Sequence, residues 1–244
     1  MLTMSRRAND NGHETAPGSL PRATRVALAA ATAWVADRRA VSAIEFAFVC
    51  PILIALLLGT AETARYLNFT WKIGNVAQTV ASLVSRNQTG SVKTSDLFFA
   101  NDSAMLIFPD VLADAKSRGT QWYSNIAVTI SSVIFSKIDL SCTTNCIYQA
   151  FVGWSYGANQ RPCSTPIKPV PNTDDVIRTT LPADTFGPGS LTVVEIGYYY
   201  TPIIGKSIIG SKWIIRSVYL APRYVPKINY DPSEGYVATV CPES

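Results

Sequence analysis

The hydrophobic pattern of the chain changes twice along its length. Residues 1 to 21 show no apolar period and are rich in Asn, Gly, Pro, Ser, Thr and Arg, a composition too polar to bury a core, which predicts disorder. From Arg22 to Arg39 an Ala-rich stretch, Val26 to Ala30, is too short and too interrupted to cross a bilayer. It also lacks a small-residue cleavage site after a long apolar core, which sets it apart from an ordinary secretory signal. Val41 to Ala61 then runs for 21 residues with Glu45 as the only acid. At about 1.5 Å per residue this run reaches across a hydrocarbon core of about 30 Å. Arg38 and Arg39 stand before it and no comparable basic cluster stands just after it, so the positive-inside rule puts the N-terminal side in the cytoplasm.

Beyond Glu62 the apolar positions Ile73, Val76, Val80 and Leu83 recur at spacings of three and four, which predicts that the same helix continues to about Ser85. Gln88, Thr89 and Gly90 end it, and Pro51 inside it removes one backbone donor and is expected to bend it. Ser95-Asp96 are the expected cap of a short helix through Met105 and Leu106, stopped by Pro109. The period then moves toward two, with Ile126, Val128 and Ile130; Tyr148, Ala150, Val152 and Trp154; Val194, Ile196, Tyr198 and Tyr200; and Trp213, Ile215 and Tyr219. These predict four strands. Between the second and third lies a long loop, Gly157 to Pro188, dense in Pro, Thr, Asn and Asp, of a length that is usually functional or mobile. The expected fold is α+β: a long N-terminal membrane-spanning helix packed on a small antiparallel four-stranded sheet and stapled by disulfides. Its divisions are a cytoplasmic leader over 1–40, the transmembrane and extended helix over 41–86, and an exported α+β domain over 87–244.

Composition narrows the function. With 48% hydrophobic and 16% charged residues the chain can fill one core and still supply a membrane segment. Of the formal charge of +4, +3 belongs to residues 1 to 40, which leaves no basic surface for nucleic acid. The only histidine, His13, lies in the leader, so neither a Ser-His-Asp nor a Cys-His pair can form in the exported domain, and no enzyme is expected. The carboxylates Asp110, Asp114, Asp139, Asp174, Asp175, Asp184 and Glu195 show no spacing that calls for acid-base work, and most read as solvated surface charges. Cys142, Cys146, Cys163 and Cys241 lie beyond the span, where an oxidising compartment favours disulfides over a four-cysteine zinc site whose paired short spacings are absent. Three connectivities are possible, and Cys142–Cys146 with Cys163–Cys241 is preferred because the second bridge would pin the C-terminal tail to the long loop. Cys50 sits inside the apolar run after Val49, unlike a lipid-attached cysteine, and reads as a packed thiol. Tyr198, Tyr199 and Tyr200 with Trp154 and Trp213 read as sheet core before they read as a binding patch. No cofactor and no metal is implied.

The run Arg39-Ala40-Val41-Ser42-Ala43-Ile44-Glu45-Phe46 resembles the processing site of tight-adherence pilins, in which a small residue precedes the cut and glutamate is the fifth residue of the mature chain. Ala47-Phe48, Pro51, the Leu-rich stretch, Gly59 and Glu62 continue the likeness to the TadE-like pattern, an apolar helix interrupted early by proline and closed by Gly-x-x-Glu. Family members usually carry glycine before the cut, where this chain has Ala40, which is still small enough for a tight subsite. The resemblance implies a minor pseudopilin held in the bacterial inner membrane, with its C-terminal domain in the periplasm. It implies cleavage between Ala40 and Val41 by a prepilin peptidase. It also implies partners in the major pilin, other minor pilins and the inner-membrane assembly platform. In that setting the freed amine of Val41 would pair with a carboxylate such as Glu45 of a neighbouring subunit, with Phe46 beside it. Burying an acid in lipid costs about 2.5–3.5 kcal/mol on insertion scales, so a carboxylate there needs a reason. Glu62, at the far end of the span, is expected as a solvated interfacial acid. The competing class is a membrane-anchored periplasmic binding module unrelated to pili.

Overall fold

The computed structural model describes residues 38–163 and 165–242; the expected leader up to residue 37, with His13, lies outside them. Helix α1, Arg38–Ser85, is unbroken through Pro51 and ends where the apolar period ends. There the Gly90 N–H donates to the Asn87 side chain at 2.9 Å, and Gly90 takes a left-handed φ of 76° that closes the turn. The chain divides into two compact units, residues 1–57 and 58–244. In the first, every residue from Val41 to Val49 is exposed, and Cys50, free of any disulfide, is partly covered.

In the second unit α1 is followed by β1 (Ser91–Lys93), α2 (Thr94–Ile107), α3 (Asp110–Arg118), β2 (Ile126–Lys137), β3 (Tyr148–Gly157), β4 (Lys168–Val170) and β5 (Thr180–Pro182). Then come β6 (Gly189–Tyr200), α4 (Lys206–Ile209), β7 (Lys212–Leu220), β8 (Asn229–Asp231) and β9 (Ala238–Val240). The main sheet has five strands in the order β7-β6-β2-β3-β9, with every pairing antiparallel. The expected count of four is thus corrected by β9. Three residues are too few to show a period of two, and this strand is held by its place beside β3, with Cys241 next to it bonded to Cys163. The start of α2 also differs from expectation: Lys93 is its cap residue, and Asp96, inside the first turn, accepts the Lys93 N–H at 2.9 Å. Helix α3 was not legible, because it starts directly after Pro109, which the sequence uses as a stop.

Two cores lie on the two faces of the sheet. On one face α1 presents Phe69, Ile73, Val76, Ala77, Val80, Ala81 and Val84 to Ile126, Val128, Ile130, Val194, Ile196 and Tyr198. Leu83, expected inward, is 40% exposed, and Val84 is buried instead. At about 100° per residue, Val84 falls within about 20° of the Ile73 direction while Leu83 lies about 80° away. On the other face Val133, Ala150, Val152, Leu191 and Val193 are covered by Ile167 and Leu181 from the long loop. An unbroken alternation of Tyr148, Ala150, Val152 and Trp154 would put all four on one face. A bulge between Ser132/Val133 and the facing Trp154/Val152 leaves Gly153 extra, and Trp154 turns to the α1 side, where its Nε1 donates to the Ile228 carbonyl at 2.8 Å. At the end of β3, Gly157 has φ 110°, and a Cβ there would lie 2.0 Å from the Val128 carbonyl oxygen.

Disulfides join Cys142 to Cys146 and Cys163 to Cys241. The second closes a loop with a sequence separation of 78, for which loop-closure entropy gives roughly 4 kcal/mol.

The helix register has a direct check. Replacing Ile73, fully buried, by Ala is expected to lower stability by about 2–4 kcal/mol. Leu83→Ala is expected to lower it by less than about 1 kcal/mol. Denaturant unfolding of the detergent-solubilised chain, followed by tryptophan fluorescence, measures both, and equal losses would contradict the register.

Candidate functional site

The sequence-predicted processing and assembly residues sit in the first turns of α1. Ala40 and Val41 are both helical. Val41 is 52% exposed and Phe46 66% exposed, and Glu45 is exposed between them. Four residues apart on a helix, Val41 and Glu45 lie one turn, about 6 Å, along the same face. From Pro51 to Ala61 every residue is again exposed. The apolar stretch reaches a mean hydropathy of 2.5 with none of it buried inside the protein. So much uncovered apolar surface needs lipid or another apolar chain around it. The described structure brings no second carboxylate and no histidine to Glu45.

The run ends at a residue whose expected role is overturned. Glu62 is not solvated: it is 7% exposed. The Tyr200 hydroxyl donates to its Oε1, and the Ile204 N–H donates to its Oε2 at 3.3 Å. The Arg65 guanidinium lies 3.9 Å away, over the rings of Phe69 at 5.0 Å and Tyr200 at 5.7 Å. Tyr66 meets Tyr200 edge-on at 5.3 Å and carries the Lys212 ammonium over its face at 4.3 Å. Helical spacing explains the arrangement, since positions 62, 65 and 66 extend toward the N-terminus the buried stripe that begins at Phe69. The acid is tolerated inside because two donors and one cation satisfy it. The sequence signal was present as Gly-x-x-Glu, but its partners come from β6 and the turn after it, more than a hundred residues away.

Two further carboxylates depart from the surface reading. Asp114 accepts from the Tyr198 hydroxyl at 2.8 Å and pairs with Arg118 at 2.7 Å. Glu195, on β6, receives Arg161 through Nε at 3.2 Å and Nη2 at 2.8 Å. The Arg161 side chain is fully buried, and its Nη1 also donates to the carbonyls of Ile177, Arg178 and Thr180. With Cys163–Cys241 this fastens the long loop to the sheet, so the segment expected to be functional or mobile is a structural cover. Tyr198, Tyr200 and Trp154 are buried, as sheet core requires, while Trp213 is 49% exposed and stacks obliquely on Tyr199 at 5.4 Å.

Residues 40–82 match the family model of the TadE-like proteins. No curated protein and no solved structure matches the chain. The matched segment runs from the expected cut through the exposed apolar stretch and most of the packed stripe, and it contains Glu45, Gly59 and Glu62. Over those residues the chain is similar to the TadE-like proteins, which supports an association with the Tad pilus system. Residues 83–244, which hold the whole sheet, lie outside the match.

The Glu62 cluster and the buried phenols give two measurable outcomes. Glu62→Ala strands the Tyr200 hydroxyl and Arg65, and is expected to lower stability by about 2–4 kcal/mol. A double-mutant cycle with Tyr200→Phe should return a coupling of about 1–3 kcal/mol; additive losses would mean that the two do not interact. Burial first, and then the bonds to Asp114 and Glu62, hold the Tyr198 and Tyr200 hydroxyls well above the ordinary phenol range. The folded state therefore keeps protons that the unfolded chain loses. The contribution is intact below about pH 10 and falls as pH rises further, by up to ~1.4 kcal/mol per unit for each tyrosine. Unfolding followed from pH 8 to 12 should show this decline, and Tyr198→Phe should make it shallower.

Proposed function

We propose that this chain is a non-enzymatic minor pilin-like subunit of a tight-adherence pilus, inserted in the inner membrane by α1 with its sheet domain in the periplasm. A prepilin peptidase cuts it between Ala40 and Val41, and the new N-terminus is recruited through the helix to a fibre built mainly of a smaller major pilin. The observation that carries this reading is the TadE-like match over a helix whose first 21 residues after Ala40 present apolar side chains outward. A helix of that kind can leave lipid only for another apolar surface, which is what a bundle of neighbouring pilin helices offers.

The chemistry of the cut supports the role given to Glu45. Cleavage frees an ammonium on Val41 and leaves the first turn of a helix with unsatisfied N–H groups. An acid one turn on, in a medium of low dielectric, is then valuable to an adjacent subunit whose amine needs a counter-charge. Phe46 beside it supplies apolar area for the same contact. In this account the major pilin, other minor pilins, the peptidase and the assembly platform are the partners, and no cofactor takes part.

Intact-mass and N-terminal sequencing of the membrane form provide the test. A mature chain beginning at Val41 is expected, and Ala40→Leu should accumulate the uncut form by filling the small subsite. Glu45→Gln should leave membrane insertion and cutting unchanged while lowering recovery of the chain in sheared pili by about tenfold or more. An N-terminus upstream of Arg38 in cells that make pili would favour a plain membrane anchor.

A further inference from the structure

We propose that the turn joining β6 to β7, Thr201 to Lys212, is a lipid contact that seats the periplasmic domain on anionic headgroups of the membrane surface. The inference rests on the reading of residues 41 to 61 as a membrane span and adds a second point of attachment.

The turn is tied to the level at which that span ends. Its Ile204 N–H donates to the Glu62 carboxylate at 3.3 Å, and Glu62 is the first charged residue after the apolar run. Tyr200, where the turn begins, donates to the same carboxylate. Lys212, where the turn ends, caps the Tyr66 ring at 4.3 Å. The turn is therefore held against the one stretch of α1 that marks the boundary between hydrocarbon and headgroup.

Its side chains suit that boundary. Ile203 is 72% exposed and Ile209 56% exposed, and neither is needed to fill the core. Lys206 and Lys212 are exposed, and no acid occurs from Thr201 to Lys212. Trp213 follows directly and is itself half exposed. Isoleucines flanked by lysines with an aromatic alongside are the combination that partitions into the headgroup layer, where apolar side chains enter the acyl boundary and cations meet lipid phosphates. Gly205 and Gly210, at φ 70° and 73°, bracket the single helical turn of α4 and give the backbone the sharp reversals that expose both isoleucines.

Exposure alone does not select this turn. The turn between β2 and β3 also exposes apolar residues, Ile138 at 61% and Leu140 at 87%. It carries Asp139, however, and the sheet register, Ile126 facing Tyr198 and Phe135 facing Gly189, places it at the opposite end of the strands. Charge and position both separate the two.

The test uses the full chain reconstituted in phosphatidylglycerol vesicles, with a diazirine-bearing leucine analogue at position 209, 140 or 48, irradiated and analysed by mass. Lipid adducts are expected at 48, inside the span, and at 209, with a yield at 209 about fivefold or more above that at 140. The yield at 209 should fall in phosphatidylcholine vesicles and in the Lys206→Gln/Lys212→Gln variant. Adducts at 48 with a yield at 209 no higher than at 140 would overturn the lipid contact alone, as would adducts joining 209 to a second copy of the chain. Absence of lipid adducts at 48 would overturn the span itself, and the contact with it.

Discussion

The structure depends on one helix that carries two different surface patterns. Over its first turns α1 shows apolar side chains on all sides, and from Phe69 onward it buries a stripe of them against one face of a five-stranded sheet. A helix hydrophobic all round is stable in lipid, and one with a single stripe is stable against a protein core. The change from one pattern to the other begins at Glu62, the first charged residue after the apolar run and the first buried one. Because its carboxylate is buried among Tyr200, Ile204 and Arg65, the point where the pattern changes is also the point where the β6–β7 turn is fastened.

The rest of the domain follows from what the helix leaves uncovered. With α1 and α2 on one face of the sheet, the other face needs a cover, and the chain supplies it from the long segment between β3 and β6. That segment has little regular structure of its own, so its backbone carbonyls need partners. Arg161 provides them at three positions while its guanidinium is neutralised by Glu195. The bridge from Cys163 to Cys241 draws the C-terminal strand into the same layer. A buried arginine of this kind is better understood as specifying one arrangement of the loop than as a large net source of stability.

What the sequence made legible is what short-range physics writes into it. The apolar run, the arginine pair before it, the end of the helix at Ser85 and the four long strands all depend on spacing within a dozen residues. Leu83 and Val84 show the limit of that reading, since adjacent apolar residues leave the helix free to choose and only the sheet decides. Long-range partners were not legible. Glu62 and Tyr200, Asp114 and Tyr198, and Arg161 and Glu195 are each separated by more than thirty residues, and an acid awaiting a distant phenol looks the same as one facing water. The bulge at Gly153 was hidden for a related reason: the alternation through Trp154 looks regular until the register of the neighbouring strand is known. For the expected processing and assembly residues, Ala40, Val41, Glu45 and Phe46, the signal was a pattern shared with a family, and the folded chain adds that Val41, Glu45 and Phe46 lie on an exposed helical surface.

The central claim is that a single continuous helix carries the apolar run into the packed core. Hydrogen exchange of the full chain in lipid nanodiscs, resolved on peptides spanning residues 55 to 75, measures it most directly. Continuity predicts slow exchange throughout, with residues around Glu62 and Arg65 opening only together with β6 and the core stripe from Phe69 to Val84. Rapid exchange confined to the amides between Gly59 and Phe69, with both flanks protected, would show that the helix is interrupted there and would contradict the account.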